Sequence, residues 1–470
     1  MNLLLIGLDW VNATVLVYFV ALNGFYLLTT LVAHRALLRY ARRLKTVDIE
    51  DLLGSAAAPP ISLLVPAYNE EVTCVESVRS LLTLRYHAFE IVFINDGSTD
   101  QTLARMVKAF DLQPVPRAPV SDVPSRPVRG VYRSKRHPAL WLLDKENGGG
   151  KADALNAGLA YCRTPLFCAI DADSLLERDA LMRIVRPFLE DRSTIAAGGI
   201  IRIVNGSTVR AGVVSDVKLP RSLLACFQVL EYLRSFLAGR VGWAELKGTL
   251  VISGAFGAFD CATVVAAGGY DSSSVGEDME LVVRLHRYCR ERGIRYRIEY
   301  IPDPVAWTEC PEEVVTLARQ RRRWQRGLTE TLWIHRRMLL RPTYGAVGML
   351  AFPFNFFFEM LAPAIEIAAY LGFLVGILLG RVSPLHALDF FLAAFVLGIV
   401  LSVAAIALEE QTFRRYPRRR DLAGLFALAI FEVLGYRQLN AWWRIQGMWA
   451  AISGTRGGWG VMKRKGFAAP

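Results

Sequence analysis

From Val11 to Ala33 the chain carries no charged side chain, and a helix of that length crosses the roughly 30 Å hydrocarbon core of a bilayer. Such a chain cannot fold as one ordinary globule. Arg35, Arg39, Arg42, Arg43 and Lys45 follow directly. By the positive-inside tendency they put the N-terminus outside and the next segment in the cytoplasm. A cleaved signal peptide would carry its positive charge before the apolar run and a small-residue site after it; neither pattern occurs. A second apolar region begins at Ala346, interrupted by Pro353 and Pro363 and containing Glu359 and Glu366. It reads as an interfacial or broken piece followed by a span near 361–380. Leu385 to Leu408 is another span, after the short link from Arg381 to Pro384. Arg414, Arg415, Arg418, Arg419 and Arg420 mark a return to the cytoplasm. Leu422–Tyr436 and the Trp-rich stretch 440–453 are expected to form a last hairpin that leaves Lys463, Arg464 and Lys465 inside. This gives about five spans in all. Glu359, Glu366 and Glu432 would be costly facing lipid. Either they line a polar path or pair with Arg437 and Arg444, or they lie at the interface near water.

Between these apolar regions the composition is that of a soluble domain. With 53% hydrophobic residues overall, a disordered or fibrous protein is excluded. The balance of 55 Lys+Arg against 43 Asp+Glu gives a net charge of +12. Because the basic clusters flank the apolar spans, an anionic membrane face or a phosphorylated substrate accounts for the charge better than nucleic acid does. Seven cysteines, an odd number without CxxC spacing, point to a reducing compartment with no disulfide framework and no zinc site. The six histidines show no pairing of a metal-binding kind.

Ile61-Ser-Leu-Leu-Val65, ended by Pro66, Ile91-Val-Phe-Ile94, ended by Asn95-Asp96-Gly97, Leu140-Trp-Leu-Leu143 and Leu166-Phe-Cys-Ala-Ile170 are short apolar runs that read as buried parallel strands. Helical spacing over Glu70–Leu84 and Thr99–Phe110 separates the first three, with Asp96-Gly-Ser-Thr-Asp100 as caps. Strand alternating with helix implies a doubly wound α/β sheet. Ligands in such sheets sit beyond the carboxyl ends of the strands. Residues 66–70 and 95–100 occupy those places and are therefore site loops. Residues 111–130, rich in Pro, Val and Arg, read as an extended excursion.

The segment Asp144 to Asn156 holds three glycines and Lys151 before a helix, a pattern able to cradle phosphate on backbone N–H groups. It is not a P-loop, because Ala152 stands where Ser or Thr is required. The strand ending at Ile170 delivers Asp171-Ala-Asp173, two carboxylates able to hold a divalent cation whose shell substrate phosphates complete. Alternatively they are a helix cap and a solvated acid. Glu277-Asp278 opens a helical stretch to Arg290, where two acids also favour a helix N-terminus; Glu280, Leu281 and Val282 read there as helix surface and packing. In Gln320-Arg-Arg-Arg-Trp324 one arginine could bind diphosphate as a planar fork, while Arg319, Arg321, Arg322 and Arg326 could meet lipid heads. Gln228 to Arg240 is amphipathic, either an interfacial helix near an acceptor path or part of the core. Trp307 to Pro311 is expected to turn the chain toward the membrane.

The order of these pieces resembles the membrane-embedded family 2 glycosyltransferases, the group of cellulose, chitin, hyaluronan and poly-N-acetylglucosamine synthases. Val65-Pro-Ala-Tyr-Asn-Glu70, Asn95-Asp-Gly97, Lys145–Asn156, Asp171-Ala-Asp173, Ser253-Gly-Ala-Phe-Gly-Ala-Phe259, Gly276-Glu-Asp278 and Gln320-Arg-Arg-Arg-Trp324 look like its successive motifs over about 61–324. The resemblance implies a GT-A-like domain over 55–310 behind an N-terminal span and basic flank (1–45). Interfacial helices (311–345), a membrane region (346–455) and a basic tail (456–470) follow. By the same likeness, nucleotide contacts fall to Pro66, Tyr68, Glu70, Asp96, Lys151, Asp171, Gln320, Arg323 and Trp324. Asp173 and Asp171 would hold Mg²⁺ or Mn²⁺. Ser253, Gly254, Ala255 and Trp324 would meet the acceptor, with Asp278 as base beside Glu277.

Cellulose synthases usually show Thr-Glu-Asp and Phe-Cys-Gly-Ser, and a PilZ-like cyclic-di-GMP domain is not expected after the last span. Gly276-Glu-Asp and the compact length lean toward the poly-N-acetylglucosamine branch. The implied protein sits in the bacterial inner membrane with its catalytic domain in the cytoplasm. It would use a UDP-sugar, UDP-GlcNAc before UDP-Glc, to extend a β-linked exopolysaccharide of the biofilm type. Its partners would be the donor, the polysaccharide acceptor, membrane lipid and accessory membrane or periplasmic export subunits, and no nucleic acid. The rivals are a non-processive enzyme acting on a lipid carrier and a nucleotide-sensing transporter or receptor.

Overall fold

The computed structural model describes residues 2–44, 58–210, 212–380 and 382–454. Lys45, Arg381 and the tail with Lys463, Arg464 and Lys465 lie outside these residues, as does the stretch 45–57. The four apolar runs form strands β1 (Ile61–Ala67), β2 (Phe89–Asp96), β5 (Leu140–Lys145) and β6 (Leu166–Ile170), all parallel, in the order β5-β2-β1-β6. They are buried on both faces, as covered parallel strands must be. On one flank β5 is extended by β4 (Val128–Ser134) and β3 (Leu112–Pro114), both antiparallel. The excursion at 111–130 therefore runs from the edge strand β3 to its neighbour β4. On the other flank β11 (Phe256–Asp260) runs antiparallel between β6 and β8 (Thr194–Ile203). Then come β12 (Arg297–Thr308) and the two-residue β7 (Leu175–Leu176), while β9 (Thr208–Arg210) and β10 (Val213–Asp216) form a separate antiparallel pair. The outcome is a ten-stranded mixed sheet with helices on both faces.

Two details depart from the sequence reading for physical reasons. Pro66 does not end β1: it stays in register with Ile94 of β2, while pairing with β6 stops at Leu64 opposite Ala169. Its missing N–H therefore costs no bond on the β6 side. Trp307 is buried within β12, its Nε1 donating to Glu177 at 2.9 Å, so the turn starts after Thr308. All seven cysteines are free; Cys162 and Cys261 approach to 3.1 Å between sulfurs.

Two helical stretches, Ala13–Arg42 and Ala387–Thr412, are long and apolar enough to cross a membrane. Two further pairs qualify jointly: Val347–Met360 with Ala362–Leu378, bent by 40°, and Arg419–Phe431 with Tyr436–Ile452, bent by 62°. The break at 361, with Pro363 in the following first turn, is the interruption read from the sequence. The last two expected spans are the arms of the second bent pair. The helix Leu223–Tyr232 continues as a π-helical stretch, Leu233–Arg240; Leu233, Phe236, Leu237 and Ala238 bury one face of it in the core, while Glu231, Tyr232 and Arg234 line a cavity.

The apolar helices are fastened to one another and to the sheet by ion pairs. Arg437 Nε donates to Glu366 at 2.7 Å, and Arg444 lies 3.5 Å from Glu359. Glu432 pairs with Arg234. These carboxylates thus pair with arginines inside the bundle and also line a cavity, and two of the arginines are the expected ones. Arg202 of β8 makes a two-pronged contact to Glu409 at 2.8 and 2.7 Å, with both side chains only 4% exposed. The helix Tyr436–Ile452 grips the neighbouring helix Val314–Ile334: Arg444 Nε donates to Gln325 at 2.8 Å, and Gly447 packs against the Arg322 backbone.

Candidate active site

Because β1, β2, β5 and β6 are parallel, residues 66–70, Asp96, the loop 146–150 and Asp171–Asp173 all emerge at one edge of the sheet. β11 runs the other way and pairs Phe256 with Ile170. Its entry loop, Ser253-Gly254-Ala255, therefore arrives at that same edge. The helix Glu277–Glu291 aims its N-terminus there. The helix Val314–Ile334 is brought close by two glycines: a Cβ on Gly327 would lie 2.8 Å from Gly276 Cα, and one on Gly276 would lie 2.9 Å from Gly327 Cα. Only bare backbones allow this approach. Gly276, the residue that departs from Thr-Glu-Asp, is half of that joint.

One cavity of about 1200 Å³ is bounded by Pro66, Tyr68, Glu70, Asp96, Lys151, Asp171, Asp173, Ser253, Gly254, Ala255, Glu277, Asp278, Gln320, Arg323 and Trp324. The fifteen residues to which the resemblance gives a role thus face one space. The cavity continues between the apolar helices past Asn23, Tyr26, Arg234, Glu359, Glu366, Glu432, Arg437 and Arg444.

Within it a chain of contacts joins the acids. Lys151 Nζ is ion-paired with Asp171 and donates to Gly254 O at 2.6 Å. Gly254 N donates to Asp278 Oδ2 at 3.0 Å, and Met279 N to Asp278 Oδ1 at 2.8 Å. The Gly254 backbone passes between the lysine and the acid, and a Cβ there would be 3.1 Å from Lys151 Nζ, close enough that the ammonium would have to shift by a few tenths of an ångström. Burial alone would push Lys151 down, yet Asp171, with Glu277 and Asp278, outweighs it and leaves its pKa raised. Glu277, half-buried at the cavity wall, is raised to about 7 by loss of water and then by the charge of Asp278.

The residues around this site correct other parts of the sequence reading. Arg321 does not face lipid: it is buried, ion-paired with Glu231 and stacked 4.5 Å from the Trp324 ring. Glu280 is not helix surface: it is 1% exposed and accepts from Arg284 at 2.8 Å, with His335 Nε2 at 3.2 Å. That contact ties its helix to the end of Val314–Ile334. Sequence reasoning missed Glu231, Arg234 and Tyr232 on the cavity wall; the amphipathic spacing of 228–240 was the available signal.

Among the described residues no group of three or more His, Cys, Asp or Glu could hold a metal unaided. Asp171 and Asp173 supply hard carboxylate oxygens at the cavity wall, and a bound diphosphate would complete a shell of the kind Mg²⁺ or Mn²⁺ takes. The residues fit such an ion, with Lys151 competing for Asp171.

Residues 59–327 match the family model described as Glycosyltransferase like family 2. Poly-beta-1,6-N-acetyl-D-glucosamine synthase of Staphylococcus aureus (strain COL) is 29% identical over 301 residues, covering 63% of this chain and 60% of that protein. The protein of the same name from Staphylococcus epidermidis is 28% identical over 272 residues, 58% of this chain and 55% of its own length. The chain spans about 60% of the length of the curated relatives it matches. A solved mannosyltransferase from Pyrobaculum calidifontis, in complex with GDP-Man and Mn²⁺, aligns with 18% identity and a TM-score of 0.49, covering 93% of this chain and 100% of that one.

Proposed function

The chain belongs to glycosyltransferase family 2, and on that footing we propose that it is a membrane-held, inverting glycosyltransferase. It takes a sugar from a UDP-sugar, UDP-GlcNAc in preference to UDP-Glc, and adds it to the end of a growing β-linked polysaccharide. It then passes the product between its own helices. The observation that carries this is the single cavity that joins all fifteen residues at the sheet edge to the charged lining among the apolar helices. The poly-GlcNAc synthases among the relatives support the choice of sugar.

In this reading Asp96 meets the base, Lys151 and Arg323 meet the diphosphate, and Asp173 with Asp171 holds Mg²⁺ or Mn²⁺. When bound, the ion supplies positive charge to the leaving diphosphate. Asp278 is the base, both its oxygens oriented by backbone N–H groups. The acceptor O–H gives its proton to Asp278 as the oxygen bonds to the anomeric carbon. The bond from that carbon to the diphosphate breaks, and its electron pair leaves with UDP. Attack opposite the leaving group inverts the centre. Glu277, holding its proton into the neutral range, spares Asp278 an adjacent negative charge. Trp324, 42% exposed, offers a face to the acceptor sugar. Catalytic domain in the cytoplasm and helices in the inner membrane complete the picture.

The test is turnover by the purified full chain in lipid with a panel of UDP-sugars, following UDP release and product size. UDP release from one sugar with long products, lost in Asp278→Asn, is expected. Short lipid-linked products would replace polymerisation by single transfer, and nucleotide binding without turnover would overturn the enzyme reading.

A further inference from the structure

We propose that Lys145 is the positioning residue through which this chain selects the base of its nucleotide donor; the proposal rests on the donor reading above. Lys145 ends β5 and is completely buried, and an ammonium without water must be matched. Its Nζ lies 2.5 Å from Asp96 Oδ1 and 2.5 Å from Asp153 Oδ2, and it donates to Glu146 O at 2.5 Å. Asp153 belongs to the first turn of the helix Lys151–Ala160 and accepts from Arg126 N at 2.9 Å. One lysine therefore joins three things: the end of β2, the glycine loop and the helix that carries Lys151.

The loop is fastened to the same acid. Gly148 N donates to Asp96 Oδ1 at 3.1 Å, and Asn147 Nδ2 to Asp96 O at 2.8 Å. Gly148 has to be bare, since a Cβ would fall 2.0 Å from Asp153 Oδ2. Both contacts to the Asp96 side chain fall on Oδ1, and Asp96 lines the cavity, which leaves its other oxygen for the base of the donor.

A buried charge cluster of this kind is a poor device for stability alone, because apolar groups of the same volume do as well. What it supplies is direction. A carboxylate held against an ammonium is an acceptor. It suits a planar base that offers a ring N–H, as uracil does at N3, and it opposes cytosine, whose N3 is a lone pair. Lys145 touches no donor atom; it acts by fixing Asp96 and by keeping the base end in register with the phosphate loop.

The experiment measures UDP and CDP affinity of the full chain in detergent by calorimetry, with a thermal melt to check folding. The variants are Lys145→Met, Lys145→Arg and Asp96→Asn, together with Lys145→Arg in the Asp96→Asn background. For Lys145→Met, UDP affinity is expected to drop about tenfold, the scale of one charged hydrogen bond. The preference for UDP over CDP should shrink, and Lys145→Arg should recover part of both. A folded Lys145→Met with wild-type affinity and preference overturns the proposal. Should Lys145→Met fail to fold, the arginine variant decides: weaker UDP binding in the wild-type background but not in Asp96→Asn supports action through Asp96, and equal weakening in both refutes it. If the wild type binds neither UDP nor CDP, it is the donor reading that fails.

Discussion

Gly327→Ala tests whether the approach of two bare backbones sets the distance between base and substrate. The new Cβ would stand 2.8 Å from Gly276 Cα and 3.0 Å from Gly276 N, both backbone atoms without a rotamer to move. Carbon atoms rest at about 3.5–4.0 Å, so the joint must open by roughly 1 Å. Gly276 directly precedes Glu277 and Asp278, and a displacement of that size at a reacting group costs on the order of 100-fold in kcat, about 2.7 kcal/mol. Stability responds differently. Ala in place of Gly inside the helix Val314–Ile334 gains about 1 kcal/mol, while overpacking the joint costs about 1–3 kcal/mol. The two nearly offset, so the melting temperature should move by only a few degrees. UDP affinity should fall by less than kcat does, because Asp96, Lys151 and Asp171 stand on elements that the joint does not carry, while Arg323 moves with its helix. The assay is UDP release at saturating donor and acceptor, beside UDP binding and a thermal melt. A folded Gly327→Ala variant with kcat within about threefold of wild type, against the 100-fold expected, would refute the reasoning.

Three further outcomes are expected. Asp173→Ala should lose the response of turnover to added Mn²⁺ while keeping its melting temperature in metal-free buffer; an unchanged Mn²⁺ titration would move the ion elsewhere. Glu277 has its pKa raised in the folded chain, so its contribution to stability is fully present below its ordinary range and is lost as pH rises through about 7. Glu277→Gln should therefore melt higher than wild type at pH 8, with the gap closing toward pH 5; a constant gap would discard that origin. Glu409→Gln strands the Arg202 guanidinium in a pocket where both groups are 4% exposed and should cost about 3–5 kcal/mol, read as a lower melting temperature, whereas loss within about 1 kcal/mol would mark the pair as effectively solvated.

Much of the sheet edge was legible because it is local. An apolar β-branched run followed by a polar turn fixes both a strand and the end at which its loop emerges, and this gave Asp96, Asp171 and Asp173 their common edge. Glu277, Asp278 and Gln320 to Trp324 carry no such signal. Their arrival at the cavity depends on Gly276 meeting Gly327, a contact between distant segments, and only the resemblance to a family pointed to them. Arg321 looked like a lipid contact because its partner, Glu231, lies 90 residues away. Glu280 looked like surface because its burial is made by His335 from another helix. Pro66 misled for a different reason: the rule against proline in a strand concerns a bond that β6, already ended, does not ask for.

The grip of Tyr436–Ile452 on the helix that bears Gln320 and Trp324 carries a consequence for how an enzyme of this kind would behave under load. Arg437 and Arg444 are anchored in the apolar bundle, yet Arg444 also holds Gln325, and Gly447 leans on the backbone of Arg322. Under the proposed function, a polymer jammed on its way out presses on the same rod that steadies the sugar platform. Turnover would then slow from back-pressure alone, with every reacting group intact, and shortening the trapped strand with a glycan hydrolase would restore it.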